Sequence, residues 1–158
     1  MAESIDYLIP MLRLKIGDLD STTYKYLDEW LLNAFIAAIR GLERYWDSKY
    51  FITDGGIVTR NTNYNYFEFE ETEGTIQSKD EDIIVIKAAL IILEGGLENA
   101  AWNIGSWRDA EISYSNLEYG RLRTENIRRM REELSNLIKV PMKRLTTSQR
   151  MTILDTKV

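Results

Sequence analysis

The chain has no histidine and no cysteine, so any chemistry falls to carboxylates, lysine, tyrosine and hydroxyl groups. The best-spaced set is Asp18, Asp20, Thr22 and Glu29, which fits positions 1, 3, 5 and 12 of a calcium-binding loop. Thr23 stands where such a loop needs glycine for its sharp bend. The segment therefore reads as a structural turn held by its own side chains. A second concentration of acids, Glu68, Glu70, Glu71, Glu73, Asp80, Glu81 and Asp82, is opposed only by Lys79 within residues 68–82. Such a run can gather cations. Its ordinary form is a solvated loop leading into a helix, here with Ser78 or Asp80 as N-cap. Catalysis by a carboxylate pair needs one acid held protonated in a dry setting, and nothing in this run supplies one.

Residue type and spacing close off the other common chemistries. The sequence holds no glycine-rich phosphate loop, no dinucleotide fingerprint and no Gly-x-Ser-x-Gly elbow. Without histidine or cysteine, the usual nucleophilic triads and zinc sites are excluded. The expectation is a protein that is not an enzyme and holds no metal or cofactor.

The elements that would carry these residues are bounded by size and charge. A chain of 158 residues suits one domain, and 44% hydrophobic with 28% charged residues allows a core and a soluble surface. The first ten residues carry Glu3 and Asp6 and no basic residue, unlike a secretory signal. The longest apolar run, Ile83 to Leu93, contains Lys87 and is too short to span a bilayer. A soluble protein made in a cytoplasm, with no membrane partner, is expected. Residues 139–158 hold five basic side chains against Asp155, a balance of +4, whereas residues 1–138 hold 15 basic and 24 acidic, a balance of −9. An acidic body with a basic tail points to a tail that meets an acidic surface, either nucleic acid or a neighbouring copy.

Ile5, Leu8, Ile9, Leu12 and Ile16 form one helical stripe. Pro10 either kinks that helix or sits in the first turn of one that starts near Ile9. Gly17 ends it. The spacing of Leu27, Leu31, Ala34, Phe35, Ala38, Ile39, Leu42 and Tyr45-Trp46 predicts a helix from about Leu27 to about Ser48. Its aromatics Trp30, Phe35, Tyr45 and Trp46 read as core. Tyr50 to Thr53, a turn at Asp54-Gly55-Gly56, and Ile57 to Arg60 predict a short hairpin. Tyr64 to Glu70 alternates like a further strand. The run after Ile83 predicts a helix buried nearly all round, by its own domain or by a neighbouring subunit, and interrupted near its end by Gly95-Gly96. After an elbow at about 105–115, a charged helix follows to Ile138, with pairs such as Glu125–Arg129 and Arg129–Glu133 available along it. The fold class expected is mainly α: a bundle of about four helices over residues 1–139, with a β-rich hairpin or flap at about 50–72 and an extended C-terminal arm over 140–158.

The stretch Leu97-Glu98-Asn99-Ala100-Ala101-Trp102-Asn103-Ile104-Gly105-Ser106-Trp107-Arg108-Asp109-Ala110, continuing to Glu118, resembles the head–tail connector (adaptor, or head completion) proteins of tailed bacteriophages. The opening Leu8-Ile9-Pro10 through Asp18 and the tail Pro141-Met142-Lys143-Arg144-Leu145 are similar as well. The resemblance covers most of the chain and is weakest around residues 50–75. It implies a virion protein of the neck, assembled in the host cytoplasm. In that family a ring of twelve lies between the portal and the next neck or tail-completion protein, and genomic DNA passes through without sequence-specific binding. The arm residues Lys143, Arg144, Leu145, Arg150, Ile153 and Leu154 would reach the portal. Ile86, Leu90, Leu93, Trp102 and Trp107 would serve subunit packing. Glu68, Glu70, Glu71 and Glu73 would face the channel or the neck. Two readings compete with this one: a helical DNA-binding or packaging accessory protein using Arg121 to Arg131 and the basic tail, and a carboxylate enzyme.

Overall fold

Pro10 sets where the first α-helix begins, because it has no amide to offer the carbonyl of Asp6. In the computed structural model, Ile5–Leu8 form a 3₁₀ turn, and α1 runs Ile9–Ile16 with Pro10 in its first turn. Of the two forms open to the sequence, the late start is the one adopted. Gly17 takes the left-handed conformation, φ 78°, and its amide bonds the carbonyl of Arg13. The structure describes residues 2–46, 48–62, 74–104 and 120–138, with the side chains of 96–104 excepted.

The second helix, α2, spans Asp28–Trp46. The carbonyl of Leu27 accepts from the amides of Trp30 and Leu31, which makes Leu27 the cap. Leu31, Ala34, Phe35, Ala38, Ile39, Leu42 and Trp46 are buried along one face. Trp30 and Tyr45 correct the expectation that all four aromatics pack inside, since both stand exposed. Each precedes a buried residue by one position, and one position turns a side chain roughly 100° around a helix.

The hairpin forms with β2 at Tyr50–Ile52 and β3 at Ile57–Arg60. Gly56 lies at φ 76°, and a Cβ there would stand 2.5 Å from the Leu32 side chain, so only glycine fits the turn. A third strand, β1 at Ala2–Ser4, has no counterpart in the residue pattern. It pairs antiparallel with the free side of β3, Ala2 opposite Thr59 and Ser4 opposite Ile57, giving the order β1-β3-β2. Alanine, glutamate and serine carry little strand preference. The pairing is held by the ladder, which continues as the Ile5 amide bonds the Gly56 carbonyl at 3.0 Å. The Glu3 carboxylate adds to it by accepting from the Thr75 amide at 2.9 Å. The alternating run at 64–70 lies outside the described residues.

The helix α3 spans Ser78–Ile104. The Gln77 carbonyl accepts from the amides of Asp80 and Glu81, so the cap is Gln77 rather than Ser78 or Asp80. The backbone stays helical through Gly95-Gly96, where an interruption was expected. Two glycines cost about 2 kcal/mol relative to alanine, less than burying two large apolar residues of this helix recovers, at about 1.5–3 kcal/mol each. Ile83, Ile84, Val85, Ile86, Ala88, Ala89, Leu90 and Leu93 are buried against α2, α1 and the last helix. Lys87, the one charge in the run, is half-buried with its stem beside Gly41.

The chain is again helical over 120–138, here α4. Ile127, Met130 and Leu134 close the core. Arg131 pairs with Glu94 of α3 at 2.8 Å, and Lys15 of α1 with Glu133 at 3.5 Å. Along α4 itself the pair formed is Arg128–Glu132 at 3.8 Å, not the two that the spacing suggested. Glu133 turns instead to α1. The architecture is mainly helical with a small three-stranded antiparallel sheet. The elbow at 105–115 and the arm at 140–158 lie outside the described residues.

Candidate assembly surfaces

Asp18 and Asp20, two of the acids with calcium-loop spacing, are consumed by the turn they build. Asp18 is buried and accepts from the Arg13 guanidinium at 2.5 Å and from the amides of Lys25 and Tyr26 at 2.9 and 3.3 Å. Arg13 is buried too, and donates to Asp28 at 2.5 Å and to the Tyr26 carbonyl at 3.0 Å. The Tyr24 ring covers it, 3.7 Å from the guanidinium carbon, a favourable cation–π contact. One arginine thus fastens the end of α1, the loop and the first turn of α2. Asp20 accepts from the Thr22 amide and from the hydroxyls of Thr22 and Thr23. Among the described residues no group of acids is arranged to hold a metal ion.

The Thr22 and Thr23 hydroxyls, foremost among its partners, hold the Asp20 carboxyl down at about 2 from its usual 3.8. Carbon-detected NMR titration should find Asp20 ionising near that low value. Replacing both threonines with alanine should raise it toward 3.8. The contribution to folding is present above the unfolded value and fades as the pH falls through about 2.

The fastened loop presents large apolar side chains to solvent. Leu19 is 64% exposed, Leu27 59%, Trp30 56% and Tyr24 47%. Asp20, Asp28 and Glu29 stand exposed on the same segment. Apolar groups gathered on a fixed element, with a polar border, mark interaction surfaces.

A second polar cluster is internal. Lys49 and Asp80 are 6% and 5% exposed and form an ion pair. Lys49 also donates to the Gln77 side chain at 2.5 Å. The Tyr50 hydroxyl donates to Asp80 at 2.6 Å and accepts from the Gln77 amide at 3.0 Å. Burial holds the Lys49 ammonium below its usual range, and the Asp80 carboxylate partly offsets that. This cluster joins β2 to the first turn of α3 and fixes one against the other. Asp80 is therefore not part of a solvated run, as its neighbours suggested. One position further along α3, the Glu81 carboxylate accepts from the Tyr7 phenol at 2.8 Å. Burial, followed by that bond, holds the phenol above its usual range.

Among the described residues, two open clefts flank α4. One, of about 470 Å³, lies between α2 and the last turns of α4, and its walls include Leu42, Tyr45, Glu94 and Ile138. The other, of about 430 Å³, lies by the fastened loop and is walled by Tyr26, Leu93, Leu122 and Arg123. On the outer side of α4, Arg121, Arg128 and Arg129 are exposed.

The residues singled out in the sequence fall in three places. Ile86, Leu90 and Leu93 are buried by the chain's own elements. Their packing within the chain needs no second copy. Trp102 lies on α3, but its side chain is outside the described set, as are Trp107, Glu68, Glu70, Glu71 and Glu73. The arm residues Lys143, Arg144, Leu145, Arg150, Ile153 and Leu154 also lie outside it. Sequence reasoning missed the exposed set Leu19, Tyr24, Leu27 and Trp30. One signal was available: Trp30 falls with Asn33, Ala37 and Arg40 on the polar side of α2, off its buried stripe. Among the described residues no helix is long and apolar enough to cross a membrane. Comparisons with protein-family models, with curated proteins and with solved structures find no match.

Proposed function

We propose that this chain is a structural virion protein that forms a ring between the portal and the neck or tail, joins head to tail, and conducts the genome. It acts by fitting against copies of itself and its neighbours and transforms no substrate. The observation that carries this reading is the set Leu19, Tyr24, Leu27 and Trp30, held outward by the buried Arg13 cluster. Building a fixed, exposed apolar surface costs solubility, and a partner that covers it recovers the burial. The similarity of the segments around Trp102, Pro10 and Pro141 to phage connector proteins supplies the kind of partner. The acidic body agrees with a conduit for DNA, since walls that do not neutralise phosphate release no counterions and do not hold the strand. The basic residues 139–158 agree with an arm that docks on the portal.

Removing residues 140–158 tests the arm. The shortened protein should keep the helical circular dichroism of the full chain and lose co-sedimentation with portal. Retained docking would remove the arm from the reading. A second reading, a DNA-binding accessory protein, is favoured by one observation: Arg121 and Arg129 have no carboxylate partner among the described residues. That reading requires the full chain, as a monomer or dimer, to shift duplex DNA at moderate salt, with affinity falling steeply as salt rises. The connector reading expects no such shift.

A further inference from the structure

We propose that the acidic, aromatic surface at the start of α2 binds the arginine face of α4 on a second copy of this chain, repeated head to tail. It presupposes that the chain assembles as a ring, and adds which faces meet. The two surfaces are opposite in sign. Residues 18–30 carry Asp18, Asp20, Asp28 and Glu29 against Lys25, and residues 120–138 carry five arginines against Glu125, Glu132 and Glu133. Internal pairing uses up Asp18 and Asp28 on Arg13, and Arg131 on Glu94. Glu29 on one surface and Arg121 and Arg129 on the other are exposed and have no ion-pair partner among the described residues.

Chemistry matches as well as charge. Trp30 and Leu27 offer flat apolar area beside Glu29, and Leu122 and Leu137 stand exposed along α4 near its arginines. Tryptophan and arginine are the residues that most often dominate contacts between proteins, and a guanidinium stacks well on an indole. The chain already makes such a contact internally, Arg13 over Tyr24. Because the two surfaces are unlike, a copy that uses one still offers the other. Contacts of this head-to-tail kind close into rings when the rotation allows.

Charge exchange on the full-length protein tests the contact, read by sedimentation velocity over a concentration series. Glu29→Arg alone and the pair Arg121→Glu with Arg129→Glu alone should each weaken assembly by about 100-fold or more, because like charges then face one another. Mixing the two variants in equal amounts should restore assembly, since each supplies the surface that the other reversed. Trp30→Ala, which leaves every charge in place, should weaken assembly without changing the helical circular dichroism. Either variant assembling as the wild type does, or a mixture of folded variants that stays apart, would overturn this contact while leaving the ring intact. A wild-type chain that sediments as a single subunit throughout, both alone and with portal, would overturn the contact and the ring together.

Discussion

Replacing Ile86 with aspartate should leave the chain largely unfolded at room temperature. Ile86 is buried on the side of α3 that meets the core. The substitution removes an apolar side chain worth about 2–5 kcal/mol and installs a carboxylate with no partner, which costs several kcal/mol more. Together these approach the roughly 5–15 kcal/mol that holds a domain of this size. Far-ultraviolet circular dichroism and urea titration should find the helical signal lost or the midpoint near zero denaturant. Leu90→Asp should behave alike. Trp30→Asp is the control, because its exposed side chain leaves room for charge, and the unfolding free energy should shift by about 0.5 kcal/mol or less. A folded Ile86→Asp protein would mean that this side of α3 is uncovered.

The second large effect is expected at the buried ion pair. Asp80→Asn leaves the Lys49 ammonium inside the protein without its counter-charge, and should cost about 3–5 kcal/mol in urea unfolding. Removing both charges, as Lys49→Met with Asp80→Leu, should recover most of that loss, since a well-packed apolar pair is often no less stable than an ion pair. Lys49 also predicts a pH dependence. Burial, partly offset by Asp80, sets its folded pKa below the usual 10.5. Between the two values the unfolded chain binds the extra proton, so the contribution of this group to stability rises as the pH climbs toward 10.5. Lys49→Met should remove that rise. A double variant no more stable than Asp80→Asn alone would mean that the hydrogen bonds to Tyr50 and Gln77 matter more than the charge.

How much of this was legible from the residues depends on whether local pattern or tertiary partners decide the element. Gly17, Pro10 and the Asp54-Gly55-Gly56 turn act through backbone geometry, so their effects were readable in advance. The stripes of α2 and α3 were readable because buried faces repeat at the helical period. β1 was not, because Ala2-Glu3-Ser4 has no strand character and owes its form to the open edge of β3. The role of Asp80 was hidden for a similar reason. Its acidic neighbours suggest solvent, but Lys49 and Tyr50, some thirty residues earlier, draw it inside. The Arg13 cluster joins α1, the loop and α2 in one contact set that no spacing encodes. The exposed surface around Trp30 is hidden for the opposite reason: residue type alone places an aromatic of an apolar-rich helix in the core, whereas its position on the helix places it outside.

Self-assembly into a closed ring is the claim on which the functional reading depends. Mass measurement and negative-stain imaging of the purified full-length protein, alone and with portal, address it directly. The expected result is a ring of about twelve subunits, in keeping with a head-to-tail contact that closes on itself, either formed by the protein alone or completed on the portal. A chain that stays a single subunit at every concentration and ignores the portal would contradict the reading.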